Sequence, residues 1–277
     1  MIILAYDGSL NGDWVSRYAI RFAAHTGSVL SVLTVRDGSV TNEQMVGKLR
    51  RLEYECRAMG VEAVTDILPE ERDVCSTLMN HIPSGTGNIV VCGTRVRSRQ
   101  QRFLSGTVSE KLLRTGLFPV MALRVVQPGL LGAPRDLLLP FSGQPGCFEE
   151  AWTFFRLLLP DLDRLFLLRW FEVSAIRLPN LSMARRDAMR QIGERYLAEI
   201  GEEIIRRSGD SMFRLDWRIG VCDDWVNEVL VQASRLKVGM VMLSASEGLF
   251  DHRFLHGNDL ERLLRGTPCD VGIYRSL

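Results

Sequence analysis

What this sequence lacks narrows it quickly. No apolar run approaches the roughly 18 residues that a membrane-spanning helix needs. Residues 1–9 pass into an apolar, strand-like run without the basic stretch of an export signal. A cytoplasmic protein with no membrane partner is expected. Charge of one sign is also missing: the formal net charge is +1, so nothing draws the chain as a whole to nucleic acid. The six cysteines (Cys56, Cys75, Cys92, Cys147, Cys222 and Cys269) form no C-x-x-C pair and are expected to be reduced, buried thiols. Histidine is scarce, and His252 and His256, four apart, have no third metal ligand in view. Catalytic signatures are absent as well: there is no P-loop lysine, no G-x-S-x-G elbow and no supported Ser/His/Asp or Cys/His arrangement. Gly85-Thr86-Gly87 precedes an apolar run instead of following one, the wrong context for a dinucleotide fingerprint. No catalytic residue or resident metal is predicted, and the protein is not expected to be an enzyme.

What is present is a regular alternation. Residues 2–6, 29–35, 61–68, 89–92 and 120–125 are short apolar runs. Between them, residues 43–59, 73–82 and the stretches after Gly8 and Gly106 carry apolar positions at helical spacing. Strands that alternate with helices at this pitch call for a parallel sheet with right-handed crossovers and helices on both faces. The fold class expected is α/β, doubly wound, with five strands in the order 3-2-1-4-5. Ligands of such sheets lie beyond the carboxyl ends of the strands, where the strand order reverses. Asp7 closes the first apolar run, Val35 the second and Gly93 the fourth. Asp7-Gly8-Ser9 also has an ordinary reading as a turn and helix cap.

Residues 88–123 carry the clearest motif, Gly93-x2-Val96-x9-Gly106-Thr107-Val108-Ser109. A strand end and a helix N-terminus both present backbone N–H groups there, and the helix dipole adds partial positive charge, which together suit a phosphate. Arg95, Arg97, Arg99 and Arg102 supply cations on the loop between, and Thr107 and Ser109 supply hydroxyls. The same hydroxyls would equally cap the helix. This spacing resembles the nucleotide-binding signature of the universal stress protein family, Gly-x2-Gly-x9-Gly-Ser/Thr, with Val96 in place of the second glycine. The resemblance implies adenine-nucleotide binding of the ATP type, with Mg2+ carried by the nucleotide. It places Asp7 near the nucleoside, Val35 beside the adenine, and Gly93, Gly106, Thr107, Val108 and Ser109 around ribose and phosphates; Gly8 and Ser9 beside Asp7, and Arg95 on the basic loop, are further candidate binding residues.

Residues 127–134 have linker composition, with Pro128, Gly129, Gly132 and Pro134. The pattern then restarts: runs at 136–141, 162–170, 213–221, 238–243 and 270–274, with helical spacing at 148–159, 182–208 and 225–236. In the long charged helix, Ile192, Tyr196, Ile200 and Ile204 fall on one face. The motif returns as Ser244-x2-Glu247-x9-Gly257-Asn258. An internal repeat of this kind predicts two domains of one fold, residues 1–126 and 135–277. The second copy keeps the spacing and loses the chemistry, since Asp7, Gly93, Val96 and Thr107 become Ser142, Ser244, Glu247 and Asn258. Nucleotide is therefore expected in the first half alone. The resemblance further implies a stress-response protein whose halves form an internal pseudo-dimer through residues 120–125 and 271–274, with a homodimer as a further assembly. Two alternatives stay open: an interaction or dimerisation module that binds no nucleotide, favoured by Val96, and a slow ATPase.

Overall fold

The computed structural model describes residues 1–94, 104, 106–143, 147–209, 212–245 and 259–277, with backbone alone at Cys147. Two compact units result: Met1–Ala133 together with Gly272–Leu277, and Pro134–Val271.

In the first unit, β1 (Ile2–Ala5), β2 (Leu30–Arg36), β3 (Ala63–Pro69), β4 (Ile89–Gly93) and β5 (Val120–Arg124) alternate with α1 (Leu10–Thr26), α2 (Asn42–Ala58), α3 (Val74–His81) and α4 (Val108–Thr115). The strand order is β3-β2-β1-β4-β5. β1 pairs in parallel with β2 (Ile2 opposite Leu30) and with β4 (Ile2 opposite Ile89), and β4 pairs in parallel with β5. The central strands are apolar on both faces because helices cover both. At the edge, β3 alternates between half-buried and exposed residues. Local chemistry sets the helix ends. Ser9 caps α1 by accepting from Gly12 N–H, Thr41 and Gln44 form a reciprocal capping box on α2, and Asp73 caps α3. Gly27 and Gly116 close α1 and α4 in the left-handed conformation.

The second unit repeats the scheme with β6 (Asp136–Phe141), α5 (Cys147–Phe155), β7 (Arg164–Glu172), α6 (Met183–Ser208), β8 (Arg214–Cys222), α7 (Trp225–Leu236), β9 (Met240–Ser244), α8 (Asp259–Gly266) and β10 (Asp270–Arg275). Its strand order is β8-β7-β6-β9, with β6 parallel to β7 and β9, and β10 begins within this unit at Asp270 and Val271. The doubly wound α/β architecture read from the sequence is the one observed.

The apolar face of α6 is not buried along its whole length. Ile192 is 52% exposed, and the residues of α6 that turn inward are Gly193, Leu197, Ile200, Gly201 and Ile204. Glycine explains the rotation. A Cβ at Gly193 would stand 3.1 Å from Ile219, and one at Gly201 would stand 3.0 Å from Leu215. The two glycines let α6 settle close onto β8, a role that a search for large apolar residues overlooks. Helix α5 also stops at Phe155, short of the expected residue 159, and a 3-10 turn, Leu159–Asp161, follows. Pro160 lies inside that turn, where it removes an amide donor.

After β5, the chain makes a 3-10 turn, Pro128–Leu130, and lays Gly132 directly on α1. Gly132 has φ +80°, and a Cβ there would lie 2.8 Å from the backbone at Arg17 and Tyr18. Space and backbone angle both demand glycine. Gly132→Ala is expected to cost about 2 kcal/mol or more, read as a lower denaturation midpoint for the first unit. A midpoint matching wild type would show that the turn yields.

Candidate functional site

At the carboxyl ends of the first unit's strands, where the order reverses between β1 and β4, five segments converge on one cleft. β1 brings Tyr6 and Asp7, β2 brings Leu33 and Val35, α3 brings Val74 and Leu78, β4 brings Cys92 and Gly93, and the start of α4 brings Thr107, Val108 and Ser109. The cleft measures about 60 Å³. Six of the sequence-predicted residues, Asp7, Val35, Gly93, Thr107, Val108 and Ser109, thus share one wall system despite spanning a hundred positions.

The remaining predicted residues lie elsewhere. Gly8 has φ +68° and turns away, and a Cβ there would meet the Met45 methyl at 2.7 Å. Ser9 serves as the α1 cap. The N–H of Gly106 donates to Glu110 Oε2 at 2.6 Å. Arg95 lies outside the described residues, as do Val96, Arg97, Arg99, Arg102, Glu247, His252, His256, Gly257 and Asn258.

Asp7 is exposed, and its Oδ1 accepts from Ser9 N–H at 2.9 Å. Directly behind it, a Cβ on Gly12 would stand 2.6 Å from that same oxygen. Gly12 is therefore a site residue by omission: any larger side chain would push Asp7 out of place. Gly93 behaves similarly toward Asn11, whose Nδ2 would be 2.6 Å from a Cβ at position 93. Asn11 Nδ2 donates to Thr94 O at 2.9 Å and so ties the end of β4 to the first turn of α1. With that bond fixing the amide's orientation, Asn11 Oδ1 is buried without a partner among the described residues.

The α4 end of the cleft is internally satisfied. Thr107 Oγ1 donates to Leu104 O at 2.6 Å, accepts from Glu110 N–H at 3.2 Å and lies 2.8 Å from Ser109 Oγ. Glu110 spans Gly106 N–H and Arg114 Nη2, the latter at 3.0 Å. The helix start that would attract an anion thus already holds a carboxylate of its own.

Sequence reasoning missed Tyr6, Gly12, Leu33, Asp37, Val74, Leu78 and Cys92 as cleft walls. The amphipathic face of α3 could have pointed to Leu78. Nothing in sequence spacing marks Gly12, because its role depends on the Asp7 side chain above it. The Tyr6 hydroxyl donates to Asp13, and burial together with that carboxylate pushes the phenol well above its usual range. Burial pushes the Cys92 thiol up to about 12, with smaller contributions from Cys75 and Asp7.

In the second unit the corresponding strand ends are filled from within. Gly143, at φ +82°, faces the Arg169 guanidinium so closely that a Cβ would lie 2.5 Å from Arg169 Cζ. Arg169 lies over the Phe171 ring at 4.5 Å and near the Tyr196 ring at 5.8 Å, and it donates to Trp170 O. Ser244 donates to Glu150 Oε2 at 2.7 Å. A guanidinium thus stands near the strand end where the first unit has the Asp7 cleft.

Residues 1–124 match the model of the universal stress protein family. No curated protein matches the chain. Among solved structures, a universal stress protein from Archaeoglobus fulgidus DSM 4304 is 14% identical, with a TM-score of 0.62 over 98% of this chain and 95% of its own. A protein of unknown function from Pseudomonas aeruginosa PAO1 is 14% identical, with a TM-score of 0.57 over 98% and 91%. The cytoplasmic domain of a prokaryotic cation chloride cotransporter is 9% identical, with a TM-score of 0.58 over 99% and 94%. At these identities the likenesses speak to fold alone.

The buried Cys92 thiol should resist iodoacetamide in the native protein at pH 8 and react once the chain unfolds, as read by mass spectrometry of the labelled peptide. Because burial holds its folded value, about 12, above the ordinary thiol value of 9.0, the unfolded state releases this proton first. Its contribution to stability is full below pH 9 and declines as pH rises from there toward 12.

Proposed function

Residues 1–124 belong to the universal stress protein family, and on that premise we propose that the chain is a tandem, cytoplasmic member that binds an adenine nucleotide of the ATP type in its first unit and serves stress-response regulation. The convergence of Asp7, Val35, Gly93, Thr107 and Ser109 on one cleft at the strand-order reversal carries this reading. The parts fit the ligand chemically. Val35 and Leu78 are apolar surfaces for a base, and Asp7 keeps an oxygen to accept from a sugar hydroxyl or exocyclic amine. Gly93 leaves the backbone bare, and the α4 N-terminus favours a phosphate. Mg2+ would arrive on the nucleotide and would neutralise phosphate charge there.

The second unit is assigned no nucleotide, because Arg169 and the Ser244–Glu150 pair fill its strand ends. It serves as a companion domain. The reading assigns binding and not turnover. Five free, buried thiols (Cys56, Cys75, Cys92, Cys222 and Cys269) suit a reducing compartment.

A second reading, an interaction module without nucleotide, has its own support. The cleft of about 60 Å³ is well below the roughly 300 Å³ of small-ligand sites, and Glu110 occupies Gly106 N–H. Nucleotide entry therefore requires α3 and α4 to separate and Glu110 to move.

Calorimetric titration with Mg-ATP distinguishes the two readings. Wild type is expected to bind, Asp7→Ala to bind about tenfold more weakly through loss of a charge-assisted hydrogen bond, and Glu110→Gln to bind about threefold to tenfold more tightly through loss of a like charge. If wild type and Val96→Gly both give no heat, the interaction module stands. Unchanged affinity in Asp7→Ala would overturn the placement of the nucleoside.

A further inference from the structure

A second and larger cavity of the first unit lies away from the strand ends, between α1, α2 and the turn that follows β5. It measures about 250 Å³ and is walled by Trp14, Leu52, Pro128 and Leu131 on its apolar side. Its polar side is built from two charge networks. Asp13 takes the Tyr6 hydroxyl and the Lys48 ammonium, the latter at 2.6 Å. Glu55 takes Arg17 at 2.8 Å and Arg51 Nε at 3.2 Å. Lys48 is bound to Asp13 alone, and Arg51 to Glu55 through Nε alone, so the rest of the ammonium and both Nη groups of Arg51 have no protein acceptor among the described residues. Lys48 and Arg51 also face an open groove beside Gly8 and Gln44, which gives the cavity a mouth to solvent.

We propose that this cavity is a binding site for a small organic monocarboxylate whose anionic head sits between Lys48, Arg51 and Arg17 and whose apolar tail lies on Trp14 and Leu131. The charge count selects the class: three cations (Arg17, Lys48, Arg51) against two carboxylates (Asp13, Glu55) leave one positive charge. A single carboxylate neutralises that charge, whereas a phosphate ester carries about −1.5 to −2 near neutral pH and would meet Asp13 and Glu55 uncompensated. Asp13 and Glu55 hold the cations in place before a ligand arrives, which lowers the ordering cost of binding. The apolar wall is equally built. Leu131 is held at φ +51°, a conformation a leucine rarely adopts, and stays 57% exposed at the rim. Gly132 clamps the turn onto α1 behind it. Leu131 is the left-handed C-cap of the 3-10 turn, its N–H donating to Pro128 O, and this turn sets its exposed apolar side chain at the mouth of the charged cavity. The cavity is distinct from the strand-end cleft, so the proposal stands or falls apart from nucleotide binding.

The test uses the full-length protein and phenylpropionate as the probe. Trp14 is the one tryptophan among residues 1–133, so its fluorescence, isolated by subtracting the Trp14→Phe spectrum, reports the cavity directly. A saturable change is expected, with matching calorimetric heat, and Lys48→Gln and Arg51→Gln should each weaken binding about tenfold or more. Arg51 is largely exposed (77%), so its variant keeps the test valid if Lys48→Gln lowers stability. No saturable signal up to millimolar probe overturns the proposal, as does affinity unaltered in both variants. Tighter binding of phenyl phosphate than of phenylpropionate overturns the monocarboxylate assignment. Displacement of phenylpropionate by Mg-ATP overturns the separation of the two sites.

Discussion

The close approach of α1's first turn to the ends of β1 and β4 is the constraint on which the first unit's chemistry depends. Two glycines make it: Gly12 leaves room for the Asp7 carboxylate, and Gly93 leaves room for the Asn11 amide. The amide then holds Thr94 by a hydrogen bond of 2.9 Å. The start of the loop after β4 is thereby fixed to the same helix turn that carries Asp7. A side chain at either glycine would separate the two strand ends and dissolve the cleft between them. Asn11 Oδ1, buried with no partner among the described residues, is a cost that this arrangement accepts.

The second unit shows how little of that chemistry the fold itself requires. Its strands keep the same order about β6. The strand-end positions diverge because they are not part of the apolar core. Where Gly93 leaves a gap filled by Asn11, Ser244 makes a hydrogen bond to Glu150. Arg169, near Phe171 and Tyr196, fills space beside the end of β6. A doubly wound frame is held by its core, and its strand ends are free to carry different side chains.

Three carboxylates of the first unit each join two partners. Asp13 joins Tyr6 to Lys48, Glu55 joins Arg17 to Arg51, and Glu110 joins Gly106 N–H to Arg114. All three sit on the helices that flank the sheet's carboxyl end or its α1–α2 side. These partly exposed pairs contribute little to stability individually. Their effect is to orient side chains at the cleft and at the cavity, so that the balanced net charge of +1 conceals strongly structured local fields.

Apolar periodicity and cap chemistry by themselves determined most of the secondary structure, α5's early end apart. The β6 and α7 boundaries agree with the sequence reading to the residue, and Ser9, Thr41, Asp73 and Ser182 cap the helices they precede. Those signals are legible because they act over a few residues: a strand's burial and a helix's first N–H groups are satisfied by near neighbours. The spacing of Asp7, Val35, Gly93 and Thr107 also announced a shared end of the sheet, because the doubly wound topology places successive strand ends together. Tertiary structure alone decided the rest. The inward face of α6 runs through Gly193 and Gly201 in place of Ile192, the helix start of α4 is occupied by Glu110, and a charged cavity lies under Pro128 and Leu131. Each of these depends on distances between residues far apart in the chain, where the deciding quantity is the space a side chain leaves or fills. Residue type and local spacing do not contain that quantity.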